Sequence, residues 1–120
     1  MPQVLAFSHQ QTEPSSDYPD PARLVRGNPK RTTWNHYTND SGEVFSGTWS
    51  SESGSWRIAM GPTEDEFCFV VSGRCRLVDA AGGAVEAGPG ESLLIPAGFT
   101  GTFDVLEPML KHYMIVERRR

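Results

Sequence analysis

The chain has 120 residues, which is enough for one domain and too few for two of ordinary size. Its 12 Gly and 9 Pro exceed average usage and favour a turn-rich β protein. Eleven Lys and Arg against 15 Asp and Glu give a net charge of −4, which repels a phosphate backbone, so no nucleic-acid partner is expected.

The chain carries no signal for a membrane or for a disulfide framework. No apolar run approaches the 18 or so residues that cross a bilayer, and the N-terminus lacks a basic region followed by an apolar stretch. Cys68 and Cys75 lack the spacing of a zinc ribbon or a redox pair. We therefore expect a soluble, cytoplasmic protein with no membrane partner, whose two thiols are reduced and packed in the core.

The first 32 residues are predicted to form an N-terminal arm. Residues 8–31 show no sustained period and contain four prolines, which oppose both helix and inner strand. The preceding residues, 4–7, are consistent either with a short strand or with a frayed terminus. Arms of this kind often lie over a neighbouring subunit.

From Thr33 the chain becomes a series of short β-like runs with turn residues every 8 to 12 positions. This pattern predicts an all-β sandwich or barrel over residues 33–117, with a basic tail at 118–120. No stretch carries a helical stripe of three turns, so little helix is expected. The predicted strands are 44–49, 55–60, 66–71, 74–78, 83–87, 92–95, 101–106 and 110–116.

A hairpin is predicted at Ser72 and Gly73, because this two-residue loop suits a primed turn between two β-like runs. Direct pairing would set Val70 opposite Cys75. Both faces of the first strand are apolar, so it is expected to be covered on both sides. Period-2 alternation gives the faces as Glu66, Cys68 and Val70, and Phe67, Phe69 and Val71.

Two motifs resemble those of the cupin superfamily. Glu66 followed by six residues and Gly73 resembles the end of the first cupin motif, and the segment from Gly90 to Gly98 resembles the G-x5-P-x-G start of the second. Residues 44–116 are similar to the branch that includes ureidoglycine aminohydrolase and the ethanolamine-utilisation cupins. The resemblance implies the cupin double-stranded β-helix, a jelly-roll barrel, following the N-terminal arm.

The resemblance also implies where a metal site would lie. A typical metal-binding cupin uses a His-x-His pair, a third His and the motif glutamate, and only Glu66 is present here. We therefore expect no metal and no cofactor. A site rebuilt from His36, His112 and Glu66 is the alternative. The positions that replace the family histidines are Ala59 and Gly61, or Met60 and Pro62, and Gly101.

The mouth of a small β-barrel is a natural ligand site, and Glu66 is the main candidate within it. An inward carboxyl can act as a general acid or base, or can anchor an amine or ureido group. A structural bridge to Arg57 or Lys111 is the competing interpretation. Lys111 and Tyr113 share one strand face and are expected to reach the cavity together; the alternative for Lys111 is an exposed edge-strand lysine. The remaining ligand-binding candidates are Trp56, Met60, Thr100 and Phe103.

These features favour a metal-independent cupin that binds a small molecule, in nitrogen-compound or carbohydrate metabolism. The alternatives are a manganese-dependent hydrolase resembling ureidoglycine aminohydrolase and a structural dimerisation module without cavity chemistry. Whether the chain is an enzyme is left open. A homodimer is expected, with the arms in the interface, because a small barrel leaves open edges and apolar sheet faces for a partner to cover.

Overall fold

The computed structural model describes residues 2–119, and this part of the chain is almost entirely β. Two single 3-10 turns, Phe7–His9 and Pro21–Arg23, are its helical elements. The strands are β1 (Ser15–Asp17), β2 (Leu24–Arg26), β3 (Arg31–Thr38), β4 (Val44–Ser51), β5 (Gly54–Ala59), β6 (Glu64–Asp79), β7 (Ala84–Ala87), β8 (Ser92–Ile95) and β9 (Thr100–Glu117).

Two long, bent strands organise the fold. β6 and β9 pair antiparallel along nearly their whole lengths, with register shifts between residues 70 and 75 of β6. On one side of the bend the strand order is β1-β3-β4-β9-β6-β8, and on the other side it is β2-β5-β9-β6-β7. The two halves thus form the two sheets of a jelly roll, which confirms the all-β cupin fold.

The predicted hairpin at Ser72 and Gly73 is wrong. Gly73 has a φ of 80°, but the chain bends there and continues as β6 instead of reversing. Val70 lies opposite Lys111 of β9, and Cys75 lies opposite Val105, so these two β6 residues do not pair with each other. The ladder to β9 supplies the hydrogen bonds that a hairpin would otherwise have supplied.

The alternation predicted for β6 is confirmed by burial. Cys68 and Val70 have no exposed surface, and Cys68 is a free thiol in the core, as is Cys75. On the opposite face Phe67 is 50% exposed and Phe69 is 38% exposed. Within a single chain the second cover predicted for this face is therefore missing.

The arm lies against the barrel of its own chain. β1 pairs with β3 at one sheet edge, and β2 pairs with β5 at another. The short strand considered for residues 4–7 does not form. Instead the Phe7 ring packs against the rings of His36 and His112, with centroid distances of 4.7 and 5.5 Å.

In the described residues, no helix combines the length and the apolar character that a membrane crossing requires.

After β9, Arg118 is hydrogen bonded to the side chain of Asp65 and to the backbone of Thr63.

Candidate functional site

A cavity of about 400 Å³ opens between the two sheets of the roll. Its wall comes from the inner faces of β3, β4, β5, β6, β8 and β9, so both halves of the fold contribute to it. Most of the lining side chains are apolar or aromatic, and a few polar groups point among them. This composition is typical of sites for small organic molecules.

An ion pair between Glu66 and Lys111 lies in this cavity. Lys111 Nζ donates a hydrogen bond of 2.7 Å to Glu66 Oε2, and the two side chains are 5% and 14% exposed for Lys111 and Glu66, respectively. The same Nζ lies 4.6 Å from the centre of the Trp49 ring and 5.0 Å from that of Phe103. Cation–π attraction and the carboxylate together offset the cost of burying the ammonium.

The surroundings keep Lys111 protonated. Burial alone lowers the pKa of its ammonium, but the nearby Glu66 carboxylate, with smaller contributions from the Cys68 and Cys75 thiols, outweighs this effect and raises the pKa above its usual value. Lys111 therefore acts at neutral pH as a fixed cation and hydrogen-bond donor. A nucleophilic role, which requires the neutral amine, is disfavoured.

Tyr113 adds a neutral polar group to the wall. Its hydroxyl donates a 2.7 Å hydrogen bond to Asn35 Oδ1 on β3. Burial, reinforced by the Glu66 carboxylate, raises the pKa of Tyr113 to about 12, so the phenol stays protonated. Gly47 leaves room for the Tyr113 hydroxyl, because a Cβ at position 47 would lie 2.9 Å from the hydroxyl oxygen.

Aromatic rings form the rest of the inner wall. Trp56 and Phe103 are stacked with a centroid distance of 5.3 Å and an interplanar angle of 9°. Trp49 lies 6.2 Å from Trp56 and 5.8 Å from Phe103 in tilted and edge-on arrangements. Arg31 Cζ lies over the Trp56 ring, 4.9 Å from its centre.

Most of the side chains predicted from the sequence meet at this cavity. Those that line it are Glu66, Trp56, Met60, Phe103, Lys111 and Tyr113. Thr100 does not line it: this residue is exposed and pairs with Ala59, where β5 ends and β9 begins. Its side chain is therefore not placed for the ligand contact that was predicted.

The two interpretations of Lys111 and Glu66 are resolved by these contacts. The exposed edge-strand interpretation of Lys111 is wrong, because the side chain is buried on an inner strand. Glu66 bridges to Lys111 and not to Arg57, whose guanidinium donates to the carbonyl oxygen of Ala22. A structural bridge and an inward-facing site residue are thus the same side chain.

Sequence reasoning missed Arg31 and Asn35, which line the cavity from β3. Arg31 falls at the end of the predicted arm, and Asn35 falls in the predicted barrel before its first predicted strand at 44–49. The run of Thr, Trp, His and Tyr over residues 32–38 is rich in strand-forming residue types and was the signal that could have revealed β3.

The donor atoms of this cavity do not fit a transition metal. Among residues 2–119 no three His, Cys, Asp or Glu side chains are grouped as metal ligands. His36 and His112 pack against Phe7, hydrogen bond to Thr12 and Thr48, and do not line the cavity, so the alternative site with Glu66 is not assembled. An ammonium that already engages the carboxylate would also repel a cation.

The sequence matches the family of the EutQ-like cupin domain over residues 38–113. The chain belongs to this family. The match does not specifically support the ureidoglycine aminohydrolase branch. No curated protein sequence matches the chain.

Solved structures share the fold at low sequence identity. The EutQ protein of Clostridium difficile is 21% identical with a TM-score of 0.66, and the match covers 74% of this chain and 64% of that one. A protein of unknown function from Pseudomonas syringae pv. tomato is 18% identical with a TM-score of 0.76, covering 90% and 45%. A putative ethanolamine utilization protein from Salmonella typhimurium is 16% identical with a TM-score of 0.64, covering 92% and 100%. This EutQ-like cupin thus spans less than two thirds of the first two relatives.

Proposed function

We propose that this EutQ-like cupin binds a small organic molecule in its cavity without a metal ion, with the Glu66–Lys111 pair as the polar anchor. The observation that carries the proposal is the buried ion pair set against aromatic rings in an open cavity of about 400 Å³. A barrel serving only as a scaffold would be expected to fill this space with side chains.

The contacts of the pair indicate which ligand groups it would hold. Lys111 uses Glu66 Oε2, and no described group hydrogen bonds to Glu66 Oε1, so this oxygen can accept from a ligand N–H or O–H. A ligand carbonyl or hydroxyl oxygen can in turn accept a proton of the Lys111 ammonium. Amides, ureides and sugars carry such paired donors and acceptors, which fits nitrogen-compound or carbohydrate metabolism.

The pair also limits the chemistry that Glu66 could perform. As a carboxylate bonded to a protonated amine, Glu66 would take up a proton in any reaction, acting as a general base. We propose binding as the primary role of Glu66, because its charge is already neutralised by Lys111 and no proton transfer is needed to stabilise it.

Ligand screening by thermal shift tests the proposal. A panel of amides, ureides, amines, carboxylates and sugars is added to the wild-type chain, and hits are measured by titration calorimetry. We expect at least one hit whose affinity falls at least tenfold in Glu66→Gln, since the substitution removes the anchoring charge. Glu86→Gln, which neutralises an exposed carboxylate paired with Arg74, is the matched control and should bind as the wild type does.

Metal analysis separates the alternatives. Protein purified without chelator is expected to contain far less than one transition ion per chain, and EDTA should leave the affinity of a hit unchanged. A stoichiometric manganese ion lost in Glu66→Gln would instead support the hydrolase alternative. A complete absence of hits across the panel would favour the structural dimerisation module.

A further inference from the structure

Arg31 brings a second cation to the cavity, and the chain itself supplies a carboxylate that holds it. Arg31 Nε and Nη2 donate to Asp17 Oδ1 and Oδ2 at 2.9 and 2.8 Å, which is a two-point pairing. The Arg31 side chain is 18% exposed, whereas Asp17 is 66% exposed. The arginine thus belongs to the cavity wall, and its partner stands on the solvent side.

The strand register explains why Arg31 faces the cavity and why Asp17 lies beside it. Arg31, Thr33 and Asn35 alternate along β3 and all line the cavity. Asp17 lies directly opposite Arg31 in the β1–β3 ladder, so its side chain lies on the same sheet face. β1 is only three residues long and forms an edge of the sheet, so few ladder hydrogen bonds hold it in place.

The aromatic wall connects this pair to the buried one. Arg31 lies over Trp56, Trp56 stacks on Phe103, and Lys111 Nζ lies over Phe103. Each of the two stacked rings therefore has its own cation within 5.0 Å of its centre. One cation is neutralised by the buried Glu66, and the other is neutralised by Asp17, which already stands largely in water.

We infer that Arg31 is a recognition site for a ligand carboxylate and that Asp17 occupies this site in the absence of the ligand. The ligand class is a flat or aromatic carboxylic acid with a hydrogen-bond donor at its far end. The carboxylate takes the fork of Arg31, the body lies along Trp56 and Phe103, and the donor reaches Glu66. This inference rests on the proposed binding function and adds the charge and polarity of the ligand.

Displacement of Asp17 carries a small cost. An exposed ion pair contributes little to stability, and a released Asp17 is hydrated at once because most of its surface already contacts water. A ligand carboxylate, in contrast, brings its own ring contacts to the cavity. Competition by Asp17 should therefore weaken carboxylate binding only about two- to fivefold.

Calorimetric titration with 4-hydroxyphenylacetate and 4-hydroxyphenylacetamide tests the inference, because the two probes differ in charge and hardly in shape. The wild-type chain should bind the acid more tightly than the amide. Asp17→Asn should tighten binding of the acid about two- to fivefold and leave the amide within twofold. Arg31→Gln should remove the preference for the acid, and Asp17→Asn should have no further effect in that background.

Two further variants keep the test independent of folding defects. Arg31→Lys retains the charge but loses the planar fork, so it should keep only part of the preference for the acid. Glu86→Gln neutralises the partner of another exposed arginine and should change neither affinity. Each variant is compared with the wild type by circular dichroism before titration.

The outcomes separate this inference from the proposed function. Suppose that the amide binds and loses affinity in Glu66→Gln, while the preference for the acid is unchanged in Asp17→Asn and in Arg31→Gln. The inference is then overturned and the proposed function stands. If neither probe binds any variant at millimolar concentration, the inference is also overturned, and the thermal-shift panel decides separately whether the cavity binds a small molecule.

Discussion

Lys111 shows how a single residue can determine the character of a cavity. Lys111 lies on β9 opposite Val70 of β6. Its ammonium reaches Glu66, which lies four residues before Val70 on β6. The ammonium lies between the Glu66 carboxylate and the Trp49 ring and so supplies the positive charge beside this carboxylate. The result is a site with a permanent dipole and no net charge.

Removal of one member of this pair should destabilise the chain. We expect Lys111→Met to lower the free energy of unfolding by about 3–5 kcal/mol, because Glu66 would be left buried without a counter-ion. Urea unfolding at pH 7 measures the loss. In the double variant Glu66→Leu/Lys111→Met, most of the stability should return.

The control for this experiment is Arg74→Met, which breaks an exposed ion pair with Glu86. It should leave the urea midpoint nearly unchanged. A double variant that is less stable than Lys111→Met alone would contradict the explanation by an unpaired charge.

Cys75 should make stability depend on alkaline pH. Burial raises the pKa of its thiol from 9.0 to about 11, so above pH 9 the unfolded chain ionises while the folded chain does not. Stability is therefore complete below pH 9 and is lost as the pH rises toward 11, at a rate of at most about 1.4 kcal/mol per pH unit from this group.

Urea unfolding at several pH values between 8 and 10 tests this expectation. In Cys75→Ser the decline between pH 9 and 10 should become shallower, whatever the variant's stability at pH 7. Cys68 remains in the variant and contributes in the same direction, because burial raises its pKa too. An unchanged slope would show that the Cys75 thiol is not protected in the folded chain.

At the level of elements, the bend in β6 has a specific cause. Gly73 combines a φ of 80° with a close approach to β9, where an added Cβ would lie 2.2 Å from the carbonyl oxygen of Pro108. The bend passes β6 from one sheet to the other. Both sides of the cavity depend on this change of direction.

Gly73→Ala should therefore cost more than an alanine at an open glycine with a similar backbone. Gly82 is the matched position: its φ is 90°, and a Cβ there meets nothing within 4 Å. We expect Gly82→Ala to cost about 1–2 kcal/mol from the backbone alone, and Gly73→Ala to cost a further 1–3 kcal/mol, approximately, from the clash. Equal urea midpoints for the two variants would contradict the close approach.

The same bend explains what could be predicted from the sequence. Alternation along β6 correctly put Cys68 and Phe67 on opposite faces, because the period of two residues does not depend on the pairing partner. It did not show that the Phe67 face is exposed within a single chain. The pairing partner itself could not be read, since Ser72 and Gly73 suit a turn and a bend equally well. Arg31 was missed because its role comes from the β1–β3 register, which is a long-range property.

At the level of the whole molecule, one sheet face exposes a group of apolar side chains. Phe67 lies beside Leu94 on β8 and Met114 on β9, and all three are substantially exposed on the outer face. Neighbouring apolar side chains of this kind mark association surfaces. This arrangement supports the homodimer predicted from the sequence, which remains a prediction.

Light scattering after size exclusion tests the association. We expect a dimer at micromolar concentration and a monomer for Phe67→Asp, since a charge in the middle of the face would be buried on association. Val85→Asp, at an exposed apolar residue of β7, is the control and should stay dimeric. A monomeric wild-type chain would refute the prediction.

The central place of β9 has a consequence for biosynthesis. β9 pairs with β4, β5 and β6, so these strands lack their shared neighbour until residues 100–117 have left the ribosome. β6 can pair with β7 and β8 before that point, but its longest ladder, the one to β9, is still missing. Closure of the roll therefore waits for β9, and the unpaired edge of β6 is open to association until that closure occurs.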